Sequence, residues 1–311
     1  MKTILSLDGG GIRGIISALL LADIERRTKK PVAEIFDLIA GTSTGGILAL
    51  GLSVRGRNGK PAYSARQMAQ MYIDHADKIF PRSFWRGVST VGGFTDEKYP
   101  HQPLEELLDR YFEDTLLRDC LTKVLISAYD IESRTPRFFK SWRADAASEV
   151  PCRHVARATS AAPTYFEPAP VEIDGLPYYL IDGGVFVNNP CVSAYAEAKR
   201  EFANEEILLV SVGTGEHIRP ICYDDAKDWG KAGWMLPVLS TVFDGVSDAA
   251  NYQMEHILGD NFHRFQIDLK EASDDMDNVT GANLAALRKE ARRLISGSRA
   301  HLDELCGRLG A

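Results

Sequence analysis

Apolar runs alternate with helical stripes along this chain, and glycines mark many of the joins. Thr3–Leu7 is a short, mostly apolar run that ends at Asp8 and a glycine triplet. Ile12–Thr28 follows with Ile15, Ile16, Leu19, Leu20 and Ile24 on one face of a 3.6-residue period, which predicts a helix. Phe36–Ala40 is a second apolar run closed by Gly41, and Thr44–Val54 predicts a second helix. Further on, helices are expected over Ser64–Ile79, His101–Leu117, Cys152–Thr159 and Cys191–Phe202. Strands are expected over Lys123–Asp130, Arg137–Ser141, Tyr178–Asp182 and Glu206–Val212. Gly230–Leu258 reads as helical in parts, and Asn283–Leu309 as one long charged helix on the outside. Strand, glycine turn and helix in repetition predict an α/β fold of three layers, with a mostly parallel central sheet flanked by helices.

The chain has 311 residues, of which 45% are hydrophobic and 25% charged. No linker, repeat or low-complexity tract divides it, so a single domain over 1–311 is expected. Its core motifs occupy 1–215, and a helical part occupies 216–311. The net charge of −7 argues against a nucleic-acid polymer as partner. The five cysteines are scattered and show no CxxC spacing, which suits reduced thiols in a cytoplasmic protein and no metal site. The N-terminal run is broken by Asp8 and reads as a first strand, not a leader. No apolar run approaches the roughly 20 residues that span a bilayer, so contact with membrane is expected to be peripheral.

Three glycine-marked turns carry the candidate chemistry. The first is Asp8-Gly9-Gly10-Gly11-Ile12-Arg13-Gly14. Gly9, Gly11 and Gly14 match GxGxxG between a strand and a helix, the context of a dinucleotide fingerprint. The acidic residue expected at the tip of the next strand is missing, because that strand ends Ala40-Gly41-Thr42-Ser43. The same backbone can instead turn its N–H groups toward a developing oxyanion at a helix N-terminus. Arg13 would then hold the loop, pair with a carboxylate or face an anionic headgroup.

The second turn, Gly41-Thr42-Ser43-Thr44-Gly45, is a GxSxG at a strand-to-helix junction, the pattern of a nucleophile elbow. Ser43 as a plain helix N-cap is the structural alternative. A serine nucleophile needs a base. Ser43, Asp182 and one of His256, His263 or His301 would satisfy the order of an α/β-hydrolase triad. Ser43 comes after only two strands, however, and no histidine lies in a glycine-flanked loop after a strong strand. The third turn, Ile181-Asp182-Gly183-Gly184, offers a carboxylate at a strand end. As in parallel α/β sheets, where the carboxyl ends of strands form the binding crevice, Asp182 is expected at the same sheet edge as the other two turns, where it can take the serine proton directly; capping of the next turn is the alternative.

Taken together, the three turns resemble the anion loop, serine motif and Asp-Gly-Gly motif of patatin-like phospholipases, of the bacterial type. The stretches Phe36–Gly41, Ala158–Phe166, Gly184–Pro190 and Val212–Gly215 resemble further segments of that family. The resemblance covers roughly residues 1–215. It implies a lipid acyl hydrolase with Ser43 as nucleophile and Asp182 as base. It also implies an oxyanion hole from the loop Gly9, Gly10, Gly11, Ile12, Arg13 and Gly14, a phospholipid or other acyl-lipid substrate, and no metal or other cofactor. Two stretches are candidates for an acyl groove, flap or lipid-contacting face. One is Phe80–Tyr99, with Phe84, Trp85 and Phe94; the other is Trp234–Val246. Core packing is the alternative for both. A phospholipase gated by a cyclic nucleotide in bacterial anti-phage immunity is a second reading, with a cyclic-nucleotide activator as partner. A nucleotide-binding module is a third. The sequence leaves room for a homo-oligomer.

Overall fold

The computed structural model describes residues 1–80, 99–216 and 220–310. Its eight strands are β1 (Lys2–Leu7), β2 (Leu38–Gly41), β3 (Lys123–Asp130), β4 (Thr135–Lys140), β5 (Ala169–Ile173), β6 (Leu176–Asp182), β7 (Ile207–Val212) and β8 (Phe262–Phe265). They form one sheet in the order β5-β6-β3-β2-β1-β7-β8, with β4 also paired to β3. The strands β3-β2-β1-β7-β8 are mutually parallel, whereas β4, β5 and β6 pair antiparallel.

Alternation along the strands builds the two faces of the sheet. Leu5 and Leu7 of β1, Ile39 of β2 and Leu208 and Val210 of β7 point into the larger core. That core is covered by α1 (Gly14–Thr28), α2 (Val32–Ile35), α3 (Thr44–Ser53), α4 (Ala65–Ile79), α5 (Gln102–Phe112) and α6 (Cys152–Thr159). Ile4, Leu38, Ala40, Ile207 and Leu209 point the other way. They meet α8 (Cys191–Glu201) and α10 (Lys231–Leu258), with α7 (Gly184–Val187) and α9 (Tyr223–Ala226) as short turns between. Each such aliphatic side chain contributes about 1.5–3 kcal/mol relative to exposure. α11 (Gly281–Gly297) and α12 (Arg299–Gly310) pack on α1. The one long C-terminal helix expected from the sequence is therefore two, broken at Gly297-Ser298, and the bend lets Leu302, Leu305 and Leu309 reach the core.

Two strands escape the sequence pattern. β8 is only four residues long. β5 forms a hairpin with β6 through Asp174-Gly175, both at positive φ, the two-residue turn that an Asp-Gly pair favours. α10 runs unbroken through Pro237, whose carbonyl accepts from Ser240 Oγ and Thr241 Oγ1. Of the aromatic stretch Phe80–Tyr99, Phe84, Trp85 and Phe94 lie outside the described residues. Phe80 and Tyr99 are buried against each other and Phe166.

The direction of β6 corrects one expectation. Asp182 does not end a strand parallel to the others. β4 occupies one edge of β3 over Leu125–Asp130, so β2 and β6 share the other edge. Gly41 lies opposite Ile126 and Asp182 opposite Ala128. The carboxyl ends of β2 and β6 therefore meet head-on, with Ser127 at the junction.

Candidate functional site

Ser43 sits between the end of β2 and the start of α3 with φ 55° and ψ −125°. A non-glycine residue in this region costs roughly 1–3 kcal/mol and persists only where its surroundings hold it. Its amide donates to Thr159 Oγ1 at 2.9 Å, and its carbonyl accepts from Ile47 at 3.1 Å. Next to it, Thr42 Oγ1 contacts Ser127 Oγ and the carbonyl of Val187, each at 2.7 Å. Thr44 Oγ1 bonds the hydroxyl of Tyr72 at 2.5 Å. The tightness of the turn is visible at Gly45, where a Cβ would lie 2.2 Å from the carbonyl oxygen of Leu7. The side chain of Ser43 is thus turned out of the strand, not used as a cap.

The carboxylate of Asp182 is 2% exposed. It accepts from the Gly184 amide at 2.7 Å, and the Ser43 hydroxyl lies near enough to favour its ionised form. Its own amide donates to Ala161 O at 3.0 Å. Burial raises its pKa to about 7, against the opposing pull of the Ser43 hydroxyl and the Gly184 amide. At neutral pH such a group exchanges protons readily, which suits a general base. The three candidate histidines make other hydrogen bonds. His263 Nδ1 pairs with His301 Nε2 at 2.7 Å, and His256 Nδ1 with Tyr252 O at 2.8 Å.

The glycine loop lies beside both residues. A Cβ on Gly9 would stand 3.2 Å from Ser43 Cβ. Four of the six loop amides are already used: Gly9 donates to Asn188 O, Ile12 to Met276 O, Arg13 to Gly10 O, and Gly14 to Gly11 O and Ile12 O. The amides of Gly10 and Gly11 donate to no acceptor among the described residues. Gly11 has φ +58°, and a Cβ there would lie 2.2 Å from Met276 O. Arg13 folds back so that its Nε donates to Gly10 O at 3.3 Å, with Asp244, Asp274 and Asp275 nearby in charge. At the root of the loop, Asp8 is buried and paired with Arg264 at 2.6 Å, and Arg264 also donates to Ser211 Oγ.

Ser43, Asp182, the loop, Gly183 and Gly184 are therefore gathered at one end of the sheet. Gly183 stacks on Ser127, and Gly184 meets the ring of Phe243 on α10. Sequence reasoning missed Ser127, Asn188, Thr159, Phe243 and Met276 as parts of this site. Thr159 and Asn188 fall in stretches already singled out by resemblance. Ser127 is hidden inside a buried strand, and Met276 lies in a loop with no motif. A cavity of about 660 Å³ lies by the start of β1 with Lys30, Asp37 and Trp142 on its wall, away from this site.

A family model described as patatin-like phospholipase matches residues 5–195. Patatin-like protein 2 of Arabidopsis thaliana is 30% identical over 350 residues, covering 98% of this chain and 86% of that protein. Patatin-like protein 4 of the same plant is 30% identical over 334 residues, covering 95% and 83%. These relatives are plant proteins and lend no support to the bacterial qualifier. Among solved structures, VipD from Legionella pneumophila aligns with 95% of this chain and 67% of its own at 12% identity and a TM-score of 0.42.

Proposed function

Because the chain belongs to the patatin-like phospholipase family, we propose that it is a lipid acyl hydrolase in which Ser43 is the nucleophile and Asp182 the base. The placement of a strained, outward-turned Ser43 beside a buried Asp182, whose pKa burial lifts to about 7, carries this reading. Asp182 takes the Ser43 proton as Oγ bonds to the ester carbonyl carbon. The carbonyl electron pair moves to oxygen, and the free amides of Gly10 and Gly11 receive that oxyanion at the N-terminal end of α1. Collapse expels the alcohol portion, which takes the proton from Asp182. Water then gives a proton to Asp182 and attacks the acyl carbon; the acyl–Oγ bond breaks, Ser43 Oγ takes the proton back from Asp182, and the fatty acid leaves. No step requires a metal.

Phospholipids or other acyl lipids are the substrate class this reading implies. No helix among the described residues is long and apolar enough to cross a membrane. No feature of the described residues favours gating by a cyclic nucleotide. The nucleotide-module reading is weakened because Gly9 packs against Ser43 and Asn188. Ser43→Ala and Asp182→Asn are each expected to abolish fatty-acid release from phospholipid and from short-chain esters while the protein stays folded. A fluorophosphonate probe is expected to label Ser43 alone. Near-full activity in Asp182→Asn would remove the dyad and return a histidine base to consideration.

A further inference from the structure

We propose that the outer face of the first half of α10 is a docking surface for an uncharged or zwitterionic lipid layer. This deepens the hydrolase reading and rests on it. Trp234, Val238 and Val242 stand at i, i+4 and i+8 on α10 and are 39%, 45% and 37% exposed. A helix presents such spacing on one side. Ile221 and Tyr223, just ahead of the helix, are 41% and 79% exposed. Trp229 packs edge-on against Trp234, with ring centres 5.2 Å apart, and braces it. Apolar residues scattered singly on a surface need no explanation, but three exposed ones aligned along one side of a helix suit an interaction site.

Two observations identify the occupant. The first is continuity with the candidate site. Phe243, next along from Val242, meets Gly184, whose amide bonds Asp182; one turn on, Ser247 Oγ accepts from Asn188 Nδ2 at 3.1 Å. One helix thus carries exposed apolar residues outside and touches the Asp182 turn inside, as delivery of an acyl lipid requires. The second is charge. Between Trp229 and Phe243 the sole charged residue is Lys231, while Asp224, Asp225, Asp228 and Asp244 flank the stretch, with one flanking lysine, Lys227, neutralised against Asp224 at 2.8 Å. Basic residues draw a protein to anionic membranes, and here the flanks are acidic. The partner is therefore a neutral lipid surface, entered by apolar insertion with aromatic residues at the boundary.

The test uses full-length protein carrying Ser43→Ala, so that vesicles survive, sedimented with phosphatidylcholine vesicles. The Ser43→Ala protein is expected to co-sediment, with binding unchanged by added salt and weakened by phosphatidylglycerol. Adding Val238→Asp is expected to weaken it at least tenfold, and Trp234→Ser, an independent change on the same face, to weaken it too. In otherwise active protein, Val238→Asp leaves kcat/KM on a soluble p-nitrophenyl ester unchanged and lowers vesicle hydrolysis at least tenfold. Undiminished vesicle binding by both variants overturns the proposal. So does a dimer that Val238→Asp converts to monomer with vesicle binding intact, which assigns the face to a second copy. If the active protein cleaves neither soluble ester nor phospholipid, the hydrolase reading fails, and sedimentation of the Ser43→Ala protein still decides the surface.

Discussion

The amide of Ser43 donates to Thr159 Oγ1 at 2.9 Å, and two residues beyond Thr159 the carbonyl of Ala161 accepts the amide of Asp182 at 3.0 Å. One three-residue stretch at the end of α6 therefore holds both partners of the proposed dyad. Thr159 is fully buried. Thr159→Val keeps its shape and removes the acceptor, leaving the Ser43 amide unpaired at a cost of about 1–3 kcal/mol. The expected outcome is a kcat reduced roughly 10- to 100-fold on a soluble ester with KM unchanged, because misplacing the nucleophile affects the reacting geometry. Thr159→Ser should restore most of the rate. Loss of melting temperature with kcat intact would leave Thr159 only a structural role.

Activity should depend on the ionised form of Asp182. With its pKa raised to about 7, kcat/KM on a soluble ester should be low at acid pH, rise through neutrality and level off above it. A histidine base would produce a similar limb. The two are separated by repeating the profile at several temperatures, since carboxylate ionisation is nearly heat-neutral and imidazole ionisation is not. A midpoint that moves strongly with temperature would count against Asp182.

Stability should respond to the same group with a definite sign. The folded protein holds Asp182 protonated more readily than the unfolded chain does, because burial raises its pKa from 3.8 to about 7. Below the unfolded value both states are protonated and nothing is lost. As pH rises through the folded value, stability on the order of a few kcal/mol is lost. Asp182→Asn, which cannot ionise, should therefore raise the melting temperature relative to wild type at pH 8 and change it little at pH 4. Thermal unfolding at both pH values checks this.

Gly11→Ala should damage the site directly. The new Cβ would sit 2.2 Å from Met276 O at a φ of +58°, so the loop must move. Displacing a proposed oxyanion donor is expected to lower kcat by on the order of 10²–10³. Gly281→Ala, which has open space around its Cβ and lies at the start of α11, is the matching control and should retain full rate.

Much of the fold was readable because burial on both faces of a sheet leaves a strong signature. β1, β3 and β7 are nearly continuous apolar runs, and β3 and α6 have the bounds expected of them. Helices with one apolar stripe were equally legible. β5 and β8 were not, because five and four residues give too few repeats for a period to emerge. The break at Gly297-Ser298 was hidden because charged residues run through both C-terminal helices alike.

By itself the sequence determined the three turns, since Gly, Ser and Asp at those spacings are local backbone requirements. It nominated Ser43, Asp182 and the loop Gly9–Gly14 for that reason. Only the tertiary structure decided how they meet. β6 turned out to run against β3, and it meets β2 end to end along the edge of β3 they share. Strand direction depends on how the chain between strands crosses the sheet, a long-range property that no local pattern records. Tertiary contacts also decided which amides of the loop stay free. Asn188 and Met276, distant in sequence, accept those of Gly9 and Ile12, whereas those of Gly10 and Gly11 find no acceptor among the described residues.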